Sequence, residues 1–345
     1  MKKRILSTFL TFALLLTLLP TAVMAEGNRT IYTKTGSTGD GSIANPYGHF
    51  EDAVNAASNG DTIVIIGNGF INAQTDEYAP FIITKEITIE SADNASADLD
   101  VRAAGILFGA NVTMKNVNLC FANRYHNAIF ANGYHFTADH VTVGASGTLV
   151  HLFAGGLANQ AAQTGSSAAL TLTDSNFGKD GTCGNIYAGG MNEGYAGDVR
   201  FSITSSTVGS IYGSGAKEAT FNRDNWFDTT EPPVPEVNAA YSVTGPVSIT
   251  VDGASTAGGA YTVSVEGNGS GGTSLTINNA SASNRLNLAG LSNLTVAGGK
   301  AAIAASNETA AVKLENNAVI DFSGSTTKTV KSLSGGGKII LGKED

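Results

Sequence analysis

Val112-Thr113-Met114-Lys115-Asn116-Val117-Asn118-Leu119 is followed, twenty-four residues later, by Phe136-Thr137-Ala138-Asp139-His140-Val141-Thr142-Val143. The two octets share one pattern: apolar, any, apolar, any, a polar or small interruption, then a second apolar stretch. The pattern returns as Leu170-Thr171-Leu172-Thr173-Asp174-Ser175-Asn176-Phe177, as Phe201-Ser202-Ile203-Thr204-Ser205-Ser206-Thr207-Val208, and as Val312-Lys313-Leu314-Glu315-Asn316-Asn317-Ala318-Val319. Alternation of period two marks a short strand with one buried face. The interruption marks a turn into a second short strand. A helical repeat would show apolar spacings of three and four over ten or more residues. These runs are too short, and too rich in Thr, Val and Ile, for that.

A second theme sits between the octets. It reads Ile129-Phe130-Ala131-Asn132-Gly133, Leu152-Phe153-Ala154-Gly155-Gly156, Ile186-Tyr187-Ala188-Gly189-Gly190 and Ile211-Tyr212-Gly213-Ser214-Gly215. Successive copies start 23, 34 and 25 residues apart. The longer step holds a Gly/Ala/Ser-rich stretch, read as a loop insertion near 157–168. A period in the twenties is too short for a domain and suits one coil of a solenoid, whose apolar face is buried only by stacking. A β-sandwich also uses short alternating strands. Dense Gly and Asn, with turns at equivalent points of each repeat, favour an all-β fold: a single-stranded parallel β-helix.

Near the N-terminus, Phe50, Ala53, Val54 and Ala57 fall at helical spacing, and Asn59-Gly60-Asp61 ends the helix ahead of the strand-like Thr62–Ile66. A short helix there would cover the open end of a stack and keep its strand edges from aggregating. Gly39-Asp40-Gly41-Ser42-Ile43-Ala44-Asn45-Pro46-Tyr47, Asp52-Ala53-Val54-Asn55-Ala56-Ala57 and Gly60-Asp61-Thr62-Ile63-Val64-Ile65 together resemble the opening of the pectate-lyase-like family of right-handed parallel β-helix proteins, which includes secreted bacterial surface proteins. The resemblance implies a right-handed solenoid with an N-terminal capping helix. The family spans polysaccharide lyases, glycosidases, phage tailspikes and non-enzymatic adhesins, so it leaves activity open.

Lys2, Lys3 and Arg4, the apolar run Phe9–Leu19, Pro20 and Val23-Met24-Ala25 form the three parts of a secretory signal peptide over residues 1–25. Its removal leaves 17 basic and 29 acidic residues, a net charge of −12. That balance speaks against nucleic-acid binding. No further apolar stretch encodes a membrane span. The expected organisation is a signal peptide over 1–25, a cap and first coil over 26–67, and the β-helix over 68–345. The coils number roughly eleven, in a rod about 50 Å long. A Pro-rich excursion at Thr229–Glu236 marks a second insertion near 219–240, and from Tyr241 the composition shifts to Gly, Ser, Asn, Ala and Thr.

Two polar clusters stand out. Arg124-Tyr125-His126-Asn127 lies about one coil before Tyr134, His135, Asp139 and His140, and stacking would set parts of them side by side. As a site, His126 or Tyr125 would be a base and Arg124 the partner of a carboxylate; as structure, they are a polar loop. The second cluster, Phe221–Asp228, holds Trp226, the sole tryptophan, between Asp224 and Asp228. A flat aromatic face beside hydrogen-bonding groups suits a sugar. The histidine spacings match no zinc motif, so no metal or other cofactor is expected. Asn116, Asn279 and Asn316 share one turn position and are read as part of an amide ladder. Cys120 and Cys183 are expected as free thiols, their coils being too far apart for a disulfide.

These features point to a secreted or cell-surface, non-catalytic β-helix contacting an extracellular glycan or host surface component. An extracellular polysaccharide lyase or glycosidase, needing acidic residues brought together from separate coils, is the alternative. A spacer within a larger surface protein is the second.

Overall fold

The computed structural model describes residues 28–72, 79–92, 95–121, 126–160, 167–179, 182–218, 234–252, 262–267, 270–280, 285–306, 310–324 and 330–342. The expected signal peptide lies outside them. Twelve strands, from Thr30–Thr33 and Thr62–Ile65 through Val112–Lys115 and His135–Asp139 to Ala311–Glu315 and Ser332–Gly335, pair one after another in parallel register along one long sheet. With strands about 4.8 Å apart the stack spans about 50 Å. This is a stacked solenoid, consistent with a parallel β-helix.

Register explains the repeated octets. Ile89, Met114, Ala138, Leu172, Ile203 and Val251 occupy one column of successive strands, all buried. The residues one position earlier, Thr88, Thr113, Thr137, Thr171, Ser202 and Thr250, form a column on the opposite, outer face. β-branched Thr suits a half-exposed pleated surface. Each buried Ile or Leu contributes about 1.5–3 kcal/mol relative to exposure, and no single coil can bury its column alone.

Two further sheets complete the coils. Phe81–Ile83, Ile106–Phe108, Ala128–Phe130, His151–Phe153, Ile186–Tyr187 and Ile211–Tyr212 begin a second parallel sheet that continues to Lys338–Ile340. Asn68–Ile71, Ala97–Val101, Val117–Phe121 and Thr142–Val143 form a short third sheet, prolonged by bridges through Asn176 to Thr207.

The polar interruption of each octet is the corner after the long sheet. Asn116, His140, Asp174, Ser205, Asn279 and Asn316 all carry left-handed backbone there, with φ between 45° and 54°. Asn, Asp and Gly tolerate this conformation best. The shared position of the three asparagines is therefore a backbone requirement. The expected amide ladder is not what this column makes: His, Asp and Ser alternate with Asn in it. Asn279 instead donates from Nδ2 to Asp252 Oδ1 at 3.3 Å.

The compositional shift has a geometric counterpart. Partners on the long sheet lie 24 to 48 residues apart between Val112 and Val247, and 18 to 21 apart from Ser274 onward. Among the described residues the third sheet is not continued beyond Thr207. The strand Asn293–Ser306 turns at Gly298 and Gly299 (φ 93° and 71°) and pairs first in the long sheet, then in the second.

Described residues lie at the edges of both expected insertions, whose middles, 161–166 and 219–233, fall outside the described residues. Leu157 is buried and bridges to Met191, and Ser167 and Ala168 already belong to the strand Ser167–Thr173. Within 219–240, Glu236–Ala240 belongs to the strand Glu236–Ser242, antiparallel to Ser214–Lys217. The helix Phe50–Ala56 packs on the first strands, with Phe50 edge-on to Phe81. Lys85 Nζ donates to the carbonyls of Val54 and Asn55 at its C-terminal end. Cys120 and Cys183 are free thiols. No described helix is long and apolar enough to cross a membrane.

Candidate functional site on the second sheet

In each copy of the second theme the first residue points inward and the next points out. Ile129, Leu152, Ile186 and Ile211 join the solenoid core, whereas Phe130, Phe153 and Tyr187 belong to a separate apolar cluster. Parallel register holds the outward aromatics one coil apart, so their rings stack. Centroids are 5.0 Å apart for Phe130–Phe153, 4.5 Å for Phe153–Tyr187 and 5.2 Å for Tyr187–Tyr212, with interplanar angles of 25°, 10° and 20°.

This stack is roofed. Leu157, Met191 and Ala216 bridge one another in parallel above it, with the Glu236–Ser242 strand alongside. Phe130, Phe153 and Tyr187 are fully buried beneath, and Tyr212 is half-buried at the end, next in register to Glu266. The glycines of the theme permit the tight roof: a Cβ on Gly189 would sit 2.5 Å from the Gly215 amide nitrogen.

Beside the stack runs a polar column. The Asn185 N–H donates to His151 Nδ1 at 3.0 Å, which puts the proton on Nε2. That Nε2 is buried without an acceptor. Complete burial holds the ring neutral, its pKa lowered to about 3. Asn185 also accepts from the Ser210 N–H and donates to Tyr187 Oη at 3.2 Å. Tyr187 Oη in turn donates to the Pro235 carbonyl at 2.9 Å. Burial raises the pKa of Tyr187 and Tyr212, so both phenols stay protonated donors.

His126 lies at the other end, edge-on to Phe130 at 6.1 Å. Its Nε2 stands 3.7 Å from Glu218 Oε1. Asn192 fixes that glutamate twice, accepting from its N–H at 2.9 Å and donating from Nδ2 to Oε2 at 3.2 Å. Burial lowers the His126 pKa and the Glu218 charge opposes the shift.

The residues singled out from sequence fare differently. Arg124, Tyr125, Asp224, Trp226 and Asp228 lie outside the described residues. His126 is described, and so are the residues flanking the tryptophan segment: Glu218 meets His126, and Pro235 meets Tyr187. Two clusters that look unrelated in sequence thus have their described flanks on one face.

His135, Asp139 and His140 do not join His126. They sit on the long sheet and its corner, where His140 Nδ1 is 2.6 Å from Asp139 Oδ1 and its Nε2 is 4.0 Å from Asp174. His126 precedes the second-sheet strand Ala128–Phe130, at a different corner of the coil. No three His, Cys, Asp or Glu side chains converge among the described residues. What sequence reading missed was the stack itself. The signal was present in the recurring Phe/Tyr after each Ile/Leu, but a solenoid hides one face only, and the roof over the other is tertiary.

No protein-family model matches the chain, and no curated protein or solved structure matches it significantly.

Proposed function

We propose that this chain is a secreted or cell-surface, non-catalytic β-helix that contacts an extracellular glycan. In this reading the solenoid is right-handed, of the pectate-lyase-like kind, with the Phe50–Ala56 helix covering its first coil. The observation that carries the functional reading is the end of the aromatic stack. Tyr212 is half-buried, stacked on Tyr187, with Glu266 next in register and the Asn185–Ser210 column beside it. A flat ring next to hydrogen-bonding side chains is the usual furniture of a sugar site. The net charge of −12 after signal removal favours a neutral glycan over an acidic one.

The test is a panel of neutral and acidic polysaccharides, assayed for both binding and product. Binding without turnover, weakened at least tenfold by Tyr212→Ala or Trp226→Ala, is the expected result. New reducing ends or unsaturated uronate absorbance would instead identify a glycosidase or lyase. Failure to bind any glycan would leave the spacer role.

A further inference from the structure

We infer that the layer roofing the aromatic stack is an acid-labile cover, which opens locally when His151 beneath it takes up a proton while the solenoid stays folded. In the strand His151–Phe153 the middle residue, Leu152, joins the solenoid core, so His151 and Phe153 face outward. An outward side chain of a coil is buried only by a layer laid across that face, and His151 is 1% exposed. The described part of the layer reaches this position at Pro235, whose carbonyl accepts from Tyr187 Oη. The Tyr187 ring lies 6.2 Å from that of His151.

The burial suits a neutral imidazole alone. Nδ1 accepts from the Asn185 N–H, and Nε2 is buried without a hydrogen-bond partner. A second ring proton would fall on Nδ1, set two N–H groups face to face and leave a cation with nothing to balance it. Ala128 flanks the ring from the previous strand, and Asn185 meets it from the next. Tyr187 is the titratable group facing it and stays protonated; among the described residues no charge acts on the ring. His126, at the edge of the layer, differs: Glu218, 3.7 Å from its Nε2, offsets part of the cost of a charge there. His151 is therefore the principal trigger and His126 an auxiliary one.

The layer is held less firmly than the coils. Leu157, Met191 and Ala216 meet through single bridges, and Glu236–Ser242 pairs with Ser214–Lys217 across a register shift. Long-sheet strands pair in longer runs, such as Ser167–Thr173 with Asp198–Thr204. The apolar cluster beneath the layer is separate from the solenoid core, so the layer can part without breaking that core. Closed, His151 titrates at about 3; open to water, it titrates near the ordinary 6.5. The closed form is thus fully favoured above pH 6.5 and loses ground as pH falls. From this one residue the opening equilibrium rises about 25-fold between pH 7 and pH 5. This inference is independent of glycan binding.

Hydrogen–deuterium exchange at pH 7 and pH 5, corrected for the intrinsic pH dependence of amide exchange, tests this. The Met191, Asn192 and Ala216 amides, which donate across the layer to the Gly156, Ala216 and Gly190 carbonyls, report its opening. The amides of the strand Ser167–Thr173 report unfolding of the solenoid. The layer amides should open with the larger equilibrium constant at both pH values, and that constant should rise about 25-fold at pH 5. His151→Asn keeps an acceptor for the Asn185 N–H and should lose most of the rise. Equal opening constants for the layer and the long sheet would overturn the proposal, since both would then open in a single event. A constant that does not change with pH in the wild-type protein would overturn it without any variant. A rise retained in His151→Asn would overturn it too, by placing the trigger elsewhere.

Discussion

Phe153 and Tyr187 are 34 residues apart in sequence, yet their rings stack at 4.5 Å and 10°. The contact follows from register: Phe153 and Tyr187 are paired positions in parallel strands of adjacent coils. The Tyr187 hydroxyl then reaches the Pro235 carbonyl and fastens Pro235, just ahead of the Glu236–Ser242 strand, to the same face.

Tyr187 thus does two separable jobs. Tyr187→Phe keeps the stack and loses the hydroxyl bond, and should destabilise by about 1 kcal/mol. Tyr187→Ala removes a fully buried ring from the middle of the stack and should cost about 3–5 kcal/mol. Urea denaturation of the two variants checks this. Equal losses would mean that the stack contributes little.

His151 makes stability depend on pH. Its folded pKa of about 3 lies below the ordinary 6.5, so between those values the unfolded chain binds a proton that the native chain refuses. Stability is therefore full above pH 6.5 and falls as pH drops, by about 1.4 kcal/mol per pH unit from this residue. His126, whose pKa burial also lowers, adds slope of the same sign. His151→Asn retains an acceptor for the Asn185 N–H and should flatten the slope measured by denaturation between pH 7 and pH 4. An unchanged slope would refute the assignment.

The corner column predicts opposite effects for two small substitutions. Asn116 has φ 53°. Asn116→Gly relieves the left-handed strain and should be close to neutral, whereas Asn116→Ala should cost about 1–2 kcal/mol. Matched Tm losses for the pair would show that the side chain, not the backbone, governs this corner.

Both cysteines should titrate as thiols in denaturant without reductant. In the native protein Cys120 should react slowly at neutral pH, because it is buried and burial raises its pKa. Rapid native reaction of two thiols would contradict the burial of Cys120, whose Sγ packs so close to Gly144 that a Cβ there would lie 2.3 Å from it.

The repeating octets, together with dense Gly and Asn at equivalent turns, pointed to the stacked parallel architecture, because the apolar face of a single coil is buried only by the coils stacked on it. They also marked the corners, since left-handed backbone favours Asn, Asp and Gly. The same residues misled where one backbone need served several side chains: Asn116, Asn279 and Asn316 looked like a ladder because sequence shows the residue and not its φ. The candidate site was half legible. His126 was visible as a polar residue in a polar run, but its partner Glu218 lies 92 positions away.

Local pattern determined which residues face the interior of each coil, because alternation is a property of the strand itself. Which outward residues are buried, and against what, was decided only when register stacked Phe130, Phe153, Tyr187 and Tyr212 and the glycine-rich turns closed over them. Those contacts join residues from different coils, and their distances depend on how many residues each intervening loop consumes. No local window of sequence contains that quantity.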